Sequence, residues 1–240
     1  MGNFVHLHVH TEYSILDGAT KIAVAAKKAK ALGMPALAIT DHGNMYGAVN
    51  FFDACEKEGI KAIIGTEFYV CDDLTVKSGK AKLNHLVLLC KNEEGYKNIS
   101  LLNAIAFRDG FYYKPRIDLK TLEAHHEGLI CLSACLAGDI PQAILNRNFD
   151  EAERLVLWFK NLFGEDFYLE MQNHMLEEQL EVNKYLRTYA KKYGIKLVAT
   201  NDVHYLERSD AESQDVLMCV QMGADYDDPK RLRFPNDEFY

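Results

Sequence analysis

The chain has 240 residues, of which 48% are apolar and 26% are charged, and its formal net charge at pH 7 is -8. This composition is typical of a globular protein and excludes a disordered chain. The negative charge argues against a protein that coats nucleic acid with a basic surface, because phosphate binding depends on clustered Lys and Arg. The length is compatible with one α/β domain.

The cysteines and the apolar runs indicate the cellular compartment. There is no CxxC pair and no spacing typical of a small disulfide scaffold, so we expect reduced thiols in a cytoplasmic protein. No run reaches the roughly 18 uninterrupted apolar residues of a spanning helix, so no membrane location is expected. The six cysteines are Cys55, Cys71, Cys90, Cys131, Cys135 and Cys219.

Seven short apolar runs, rich in β-branched residues, predict β-strands. Amphipathic stretches lie between several of them, and three of these stretches end at a glycine, a common helix stop. Alternating strands and helices indicate a parallel sheet, and seven such units favour an α/β barrel over an open sheet. The predicted strands are FVHLHVH (4–10), ALAITDH (36–42), KAIIGTEFYV (61–70), HLVLLC (85–90), GLICLSA (128–134), FYLEMQ (167–172) and KLVATNDVHY (196–205), and the three helix stops are Gly33, Gly164 and Gly194.

The last residues differ in character from the rest of the chain. The sequence DYDDPKRLRFPNDEFY combines turn residues and mixed charge without a regular period. We therefore expect one domain over residues 1–225, and the start of a linker into a further region over residues 226–240.

Side chains able to bind a metal stand near the ends of almost every predicted strand. Because functional groups of parallel α/β folds gather at the C-terminal ends of strands, we expect them to meet. Each residue alone is more often a helix cap or a solvated side chain. Nine together exceed the four ligands of a structural zinc site and suit two or three ions. They are His8, His10, Asp17, His42, Glu67, His85, Cys135, Asp202 and His204.

The chemistry of this set indicates the metals and the substrate class. Imidazole, carboxylate and thiol together predict zinc, manganese or iron rather than calcium, which prefers oxygen ligands. Three divalent ions carry six positive charges, and the three carboxylates and a Cys135 thiolate carry four negative charges. The net charge of two leaves a cationic pocket suited to a phosphate. Such ions activate water and stabilise the departing oxygen in phosphoryl transfer. GxSxG, Walker A and GxGxxG motifs are absent, so serine hydrolases, nucleotide kinases and dinucleotide enzymes are not predicted.

Seven segments, in order and over essentially the whole chain, resemble the polymerase and histidinol phosphatase (PHP) domain family. Within that family they are most similar to members at the N-terminus of bacterial replicative DNA polymerases. The resemblance implies a distorted seven-stranded, TIM-like (β/α) barrel with a trinuclear metal site at the strand C-termini. The segments are HLHVHTEYSILDG, ITDHGNMYGAVNF, IIGTEFYV, NHLVLLCKNEEGY, GFYYKPRID, LICLSACLAGDI and TNDVHY.

The resemblance also implies residue roles. None of the nine positions carries an inert residue, although Asp17 and Cys135 stand where many family members have histidine. Glu67, Asp202 and His10 are the predicted catalytic residues, with Glu67 bridging two ions. His6 lies outside the family motif, and we expect a neighbouring or structural role for it.

The activity implied by the resemblance is that of a metal-dependent 3′–5′ exonuclease. It would remove misincorporated nucleotides from a DNA primer terminus, with the remainder of the polymerase polypeptide and other replisome subunits as partners. Two alternatives stay open: a non-catalytic, metal-stabilised structural module of the polymerase, and a stand-alone small-molecule phosphatase of the histidinol phosphatase type.

Residues 107–118, FRDGFYYKPRID, interleave cations with aromatic rings. This mixture suits single-stranded nucleic acid, which binds through stacking and phosphate contacts. The aromatic residues could equally pack under the rim of a barrel, and both interpretations stay open. The candidate nucleic-acid-binding residues are Arg108, Tyr112, Lys114 and Arg116.

Overall fold

The computed structural model describes residues 4–80 and 82–240, which group into two compact units. Unit 1 comprises Met1–His42, Tyr46–Ile64 and Asn201–Tyr240, and unit 2 comprises Gly43–Met45 and Gly65–Thr200. In chain order the helices and strands are α1 (Ile22–Ala31), β1 (Ala36–Ile39), α2 (Ala48–Glu58), β2 (Lys61–Cys71), β3 (Asn84–Cys90), α3 (Glu93–Arg108), β4 (Arg116–Asp118), α4 (Leu119–Ala124), β5 (Leu129–Leu132), α5 (Asp139–Leu145), α6 (Phe149–Phe163), β6 (Phe167–Met171), α7 (Glu177–Tyr193), β7 (Lys196–Ala199) and α8 (Ala211–Met222), with short 3₁₀ turns at Gly164–Asp166 and Arg208–Asp210.

Unit 1 is built around β1, which pairs in parallel with residues 61–64 of β2. Helix α1 buries Ile22, Ala25, Ala26 and Ala29, whose spacing places them on one helix face. These side chains share a core with residues of α2, and the three alanines let the two helices approach closely. The predicted amphipathic helix is confirmed here, and Lys27 and Lys30 are left on its exposed face.

The predicted first strand, residues 4–10, is wrong as a regular strand. The segment does run beside β1, where the backbone N–H of Thr40 donates to the carbonyl of Val9 (2.9 Å). The N–H of Val9, however, donates to the Thr40 hydroxyl (2.8 Å) instead of a backbone carbonyl. On its other side Val9 makes only an isolated parallel bridge with Val203. A side-chain hydroxyl thus interrupts the hydrogen-bond ladder that would define a strand.

Residues 226–240 belong to unit 1. Phe239 is buried, and its carbonyl accepts a hydrogen bond from the backbone N–H of His204 (2.8 Å). Arg231 is also buried and donates two hydrogen bonds to Asp215 of α8. A domain boundary at residue 225 remains a prediction.

Unit 2 contains a sheet with the strand order β4, β2, β3, β5, β6, β7. Pairing is parallel between β4 and β2, between β5 and β6, and between β6 and β7. It is antiparallel where β3 pairs with β2 and with β5. The sheet is therefore mixed, and the predicted all-parallel arrangement is wrong. The described residues of the β2–β3 connection, 72–80 and 82–83, form no helix, and a parallel crossover usually requires one.

The strands of unit 2 are held by a large apolar core. Phe68 and Leu88 from the sheet, Ile99 from α3 and Phe159 from α6 are fully buried in one cluster. Burial of each such side chain contributes about 1.5–3 kcal/mol. Strand β4 was not predicted because it has three residues, too few for a visible alternation. Helix α7 ends, as predicted, at Gly194, which adopts the left-handed conformation (φ 64°).

None of the helices in the described part of the chain has both the length and the apolar content needed to cross a membrane.

Candidate metal centre

Six of the nine predicted ligands lie in unit 1, on segments that flank its short sheet. His8 and His10 come from the extended segment beside β1, and His42 follows the end of β1. Asp17 lies in the loop before α1, and Asp202 and His204 follow β7 in the chain. We call these residues the unit 1 set: His8, His10, Asp17, His42, Asp202 and His204.

Asp202 is the centre of the unit 1 set. Its Oδ1 atom lies 3.2 Å from Nε2 of His8 and 3.2 Å from Nε2 of His10. Burial alone would raise the pKa of Asp202, but the charges of His8 and His204 and the hydrogen bond with His10 hold it well below its ordinary value. Asp202 therefore stays ionised and can accept hydrogen bonds or bind a cation, but it cannot donate a proton.

The backbone at Asp202 adopts an uncommon conformation, with φ at 46°. Non-glycine residues rarely occupy this left-handed region, although Asp and Asn tolerate it best. The predicted strand 196–205 accordingly stops at Ala199, and the chain turns. Through this turn the carbonyl oxygen of Asp202 lies 2.7 Å from Nδ1 of His204. Because a carbonyl can only accept, Nδ1 carries the proton, and Nε2 of His204 is the atom available to a metal.

Three imidazole rings of the unit 1 set are stacked. The ring centroid of His10 lies 4.0 Å from that of His42 and 4.3 Å from that of His204. One ring nitrogen from each histidine can be chosen so that all three lie within 4.8 Å of one another. Three imidazolium rings at these distances would repel, whereas neutral imidazoles suit a transition-metal ion. The donor set of unit 1 therefore fits a metal site.

Asp17 extends this set by its contact with His42. Its Oδ2 atom lies 3.2 Å from Nε2 of His42. Burial would raise the pKa of Asp17, but the hydrogen bond and charge of His42 outweigh it and lower the pKa to about 2. Asp17 is thus a second ionised carboxylate among the histidines of unit 1.

The other three predicted ligands, Glu67, His85 and Cys135, form the unit 2 set. Glu67 pairs with Val87 across the antiparallel β2–β3 ladder, so His85, two residues from Val87, points to the same face of the sheet. Nδ1 of His85 lies 3.0 Å from Oε1 of Glu67. The Cys135 sulfur, from the loop after β5, lies 3.6 Å from that nitrogen and 3.8 Å from that oxygen. Unit 2 thus brings carboxylate, imidazole and thiol together.

The segment 107–118 is only partly suited to nucleic acid. Arg116 is buried, and its guanidinium donates to the carbonyls of Gly110 (2.9 Å) and Val76 (3.1 Å). The prediction that Arg116 contacts nucleic acid is therefore wrong, because the side chain holds loops together. Lys114 is exposed, and its ammonium lies 5.6 Å from the ring centre of Tyr69.

Asp41 and Ser14 are buried residues of unit 1 that the sequence did not assign to the site. Asp41 directly precedes His42, and its carboxylate accepts a hydrogen bond from the hydroxyl of Ser14 (2.9 Å). Ser14 in turn contacts the ring of His10. The position of Asp41 in the run ITDH was a signal for a role near His42, but the distant partner at residue 14 was not visible in the sequence.

A cavity of about 370 Å³ in unit 1 contains none of the predicted ligands. Its walls are mostly apolar, with Leu37 and Val203 among them, and His6 contributes to the lining. Burial, with a smaller effect of the nearby Lys28 charge, lowers the pKa of His6 to about 4. His6 is therefore a neutral ring in an apolar setting, apart from the unit 1 set.

The sequence model of the PHP domain family matches residues 6–174, which is more than half of the chain. The chain therefore belongs to this family. The family resemblance is thereby confirmed. Similar curated proteins are the DNA polymerase III alpha subunits of Borreliella burgdorferi (48% identical), Treponema pallidum (47%) and Thermus aquaticus (46%), each matched over 99% of this chain. The match covers 21%, 21% and 20% of those proteins, so the chain spans about a fifth of their length.

Two solved structures show the same fold at low sequence identity. An amidohydrolase from Chromobacterium violaceum, solved with bound sulfate and no metal, is 15% identical with a TM-score of 0.54, over 85% of this chain and 88% of that one. A candidate metal-dependent phosphoesterase from Bifidobacterium adolescentis is 16% identical with a TM-score of 0.51, over 83% and 87% of the two chains. With family membership, these structures confirm the predicted α/β fold class of the PHP type.

Proposed function

We propose that the chain is the PHP region of a bacterial replicative DNA polymerase subunit and acts as a metal-dependent 3′–5′ exonuclease on DNA. The observation that carries this proposal is the packing of His10, His42 and His204, with ring nitrogens within 4.8 Å of one another. The ionised Asp202 lies beside them. The identity to polymerase III alpha subunits over nearly the whole chain supports the same assignment.

The proposed cofactors are two to three divalent ions of zinc, manganese or iron. The unit 1 set supplies imidazoles and carboxylates, and the unit 2 set adds Glu67, His85 and Cys135, all of which are ligands for these metals. That the two sets hold one cluster of ions remains a prediction. When bound, such ions lower the pKa of water and stabilise the charge that develops on phosphoryl oxygens.

Three residues are proposed to act at the reacting atoms: Glu67, Asp202 and His10. Glu67 is almost fully buried and accepts a hydrogen bond from His85, so its carboxylate is held in place for a bridging role. Asp202 is ionised and therefore binds cations instead of transferring a proton. His10 lies between two other rings and contacts Asp202, which fixes the direction of its Nε2 atom.

Lys114 is the residue of segment 107–118 that we propose to bind the DNA backbone. It is exposed and lies over the ring of Tyr69, and that ring packs edge-on against His85 at a centroid distance of 5.3 Å. The ammonium group is thus close to the unit 2 set, where a phosphate would be bound. Arg108 and Tyr112 remain candidates, although Arg108 pairs with Asp109 and Tyr112 donates to the carbonyl of Gly79 (2.9 Å).

The proposed partners are a DNA primer terminus, the remainder of the polymerase polypeptide and other replisome subunits, in the cytoplasm. The named relatives support this, since each is a polymerase subunit about five times as long as this chain. A structural module without turnover and a small-molecule phosphatase would use the same metal ligands, so only turnover separates the three functions.

The test is hydrolysis by the metal-loaded chain of a DNA primer that is annealed to a template and carries a labelled, mismatched 3′ end. Manganese and zinc are tried separately, with a chelated sample as control. We expect release of the 3′ nucleotide, abolished by His8→Ala and by Asp202→Asn. His126→Ala is the matched histidine control and should keep the wild-type rate, because His126 lies outside both ligand sets and its ring contacts the carbonyl of Glu123 and the ring of Phe163.

A small aromatic phosphate ester is assayed beside the primer. Faster turnover of that ester than of DNA would support the small-molecule phosphatase. If a folded, metal-loaded chain hydrolyses neither substrate, the exonuclease proposal is wrong and the structural module is favoured.

A further inference from the structure

A chain of hydrogen bonds in unit 1 leads from a buried carboxylate to the ring of His10. Nδ1 of His10 lies 2.9 Å from the Ser14 hydroxyl, and that hydroxyl donates to Oδ1 of Asp41 (2.9 Å). All three side chains are at most 1% exposed. Water therefore does not compete for these bonds, and each hydrogen has to be assigned within the protein.

The direction of the bond between Ser14 and Asp41 follows from Thr11. The backbone N–H of Thr11 donates to Oδ1 of Asp41 (2.6 Å), so Oδ1 is a hydrogen-bond acceptor. The Thr11 hydroxyl accepts from the N–H of Tyr13 (3.1 Å) and donates to the other oxygen, Oδ2 (2.8 Å). Burial raises the pKa of Asp41, and the hydrogen bonds from Thr11 and Ser14 and the charge of His42 oppose that shift. The Ser14 hydrogen thus points to Oδ1.

Ser14 then has only acceptor capacity left. A hydroxyl has one hydrogen and two lone pairs. Its hydrogen goes to Asp41, and one lone pair accepts from the backbone N–H of His42 (3.1 Å). The second lone pair faces Nδ1 of His10 and can only accept, so Nδ1 must carry a proton.

We propose that Asp41, acting through Ser14, is a positioning residue that keeps the proton of His10 on Nδ1 and leaves Nε2 to bind the metal. This inference rests on the metal site of the proposed function, but not on the reaction that the site performs. It gives His10 the same arrangement as His204, whose Nδ1 faces the carbonyl of Asp202.

The hydrogen bonds from Asp41 through Ser14 to His10 matter because another contact of His10 favours the tautomer with the proton on Nε2. Nε2 of His10 lies 3.2 Å from Oδ1 of Asp202, and this carboxylate attracts a proton to Nε2. A neutral ring with its proton there has no lone pair for a metal at that nitrogen. Without Ser14 or the Asp41 carboxylate, we expect the proton to move to Nε2.

The primary test is nitrogen-15 NMR of the histidine side chains in the metal-free chain, well above the ordinary histidine pKa of about 6.5. The His10 signals are assigned from their loss in His10→Gln. Wild type should show His10 protonated at Nδ1, whereas Ser14→Ala and Asp41→Ala, which remove the hydroxyl and its acceptor, should shift it to the Nε2-protonated form. Thr20→Val is the matched control, because it also removes a buried hydroxyl of unit 1, but one that has no hydrogen-bond partner among the described residues.

The second test is the affinity for zinc and for manganese, measured by calorimetric titration. Loss of such an outer partner typically weakens metal binding roughly 10- to 100-fold. We expect this loss for Ser14→Ala and Asp41→Ala, and substantial recovery for Ser14→Thr, which keeps a hydroxyl. Thr20→Val should stay near wild type.

A wild-type His10 protonated at Nε2 would overturn the inference, and so would variants that keep the Nδ1 proton and the wild-type affinity. The wild-type measurement decides the question even if a variant does not fold. None of these readouts uses DNA, so a chain that binds metal through the predicted tautomer but hydrolyses no primer would contradict the proposed exonuclease alone.

Discussion

The unit 1 and unit 2 ligand sets are built in different ways. In unit 2, Glu67 and His85 project from regular antiparallel strands, and the ladder fixes their relative position. In unit 1 no predicted ligand lies within a regular strand: His8 and His10 come from an interrupted segment, and Asp202 from a turn with positive φ. The register of the sheet positions Glu67 and His85 of the unit 2 set, whereas hydrogen bonds to the side chains position the histidines of the unit 1 set.

The two arrangements predict different sensitivities. A strand residue keeps its direction as long as the ladder persists. An imidazole in an irregular segment needs partners that fix both its rotation and its tautomer, as Ser14 does for His10 and the Asp202 carbonyl does for His204. Substitutions around the unit 1 set should therefore reduce metal binding more than comparable substitutions in the unit 2 set.

The largest effect is expected for Asp202→Asn. This change removes the negative charge that contacts His8 and His10, and asparagine still tolerates the positive φ at this position. Loss of a residue that only bonds a metal ligand already lowers metal affinity roughly 10- to 100-fold. We therefore expect zinc affinity to fall about 100-fold or more here. Calorimetric titration with zinc measures it, and Asp53→Asn, an exposed change in α2 of the same unit, is the control. Zinc affinity within a few-fold of wild type would contradict the central position of Asp202.

A smaller effect is expected for Cys135→Ala in unit 2. The thiol lies 3.6 and 3.8 Å from its neighbours and belongs to a half-buried loop residue, so we expect roughly a 10-fold loss of zinc affinity. Cys90→Ala is the matched control, because burial raises the pKa of the Cys90 thiol to about 12 and keeps it inert. Alkylation supplies a second measurement: iodoacetamide should label Cys135 ahead of Cys90, and zinc should protect Cys135. Labelling of Cys135 that zinc does not affect would exclude it as a ligand.

Low pH should reduce the stability of unit 1 because it protonates Asp215, which is paired with Arg231. The hydrogen bonds from Arg231 hold the pKa of Asp215 below its ordinary value. A lowered pKa contributes stability that is present above the unfolded-state value of about 3.9 and is lost as the pH falls through the folded-state value. Asp215→Asn should therefore lower the free energy of unfolding at neutral pH, and the difference from wild type should shrink below about pH 4. Urea unfolding of the metal-free proteins across this range measures the difference, and a pH-independent gap would contradict the assignment.

The smallest effect is expected for Lys114→Ala. Removing one phosphate contact should weaken binding of a single-stranded primer several-fold and reduce the salt dependence of the binding constant by about one unit. Lys184→Ala, an exposed lysine of α7, is the control. Fluorescence anisotropy at several salt concentrations gives both quantities. An unchanged salt dependence would remove Lys114 from the DNA contact.

The sequence predicted six of the seven strands and the general position of both ligand sets, because apolar runs and the polar residues that end them are local signals. The first strand was misjudged because the hydroxyl of Thr40, 31 residues away, takes the backbone N–H of Val9. Strand β3 was predicted, but its antiparallel direction was not, because the strand's own apolar run does not show the direction in which it pairs.

Predictions of individual residues failed where a distant partner decides the role. Arg116 looks like a phosphate-binding residue in the sequence, but the carbonyls of Gly110 and Val76 turn it inward. Asp41 looks like one more strand-end carboxylate, and only its contacts with Thr11 and Ser14 reveal its connection to His10. The contacts with Val76, Thr11 and Ser14 depend on the folded arrangement of segments 27 to 40 residues apart.

X-ray absorption spectroscopy of the zinc-loaded chain tests the central claim, that histidines of the unit 1 set hold the metal, most directly. We predict nitrogen ligands at about 2.0–2.1 Å with the multiple scattering of imidazole, reduced in His10→Ala and His204→Ala. A shell of oxygen ligands without imidazole scattering, or a spectrum that these two substitutions leave unchanged, would contradict it.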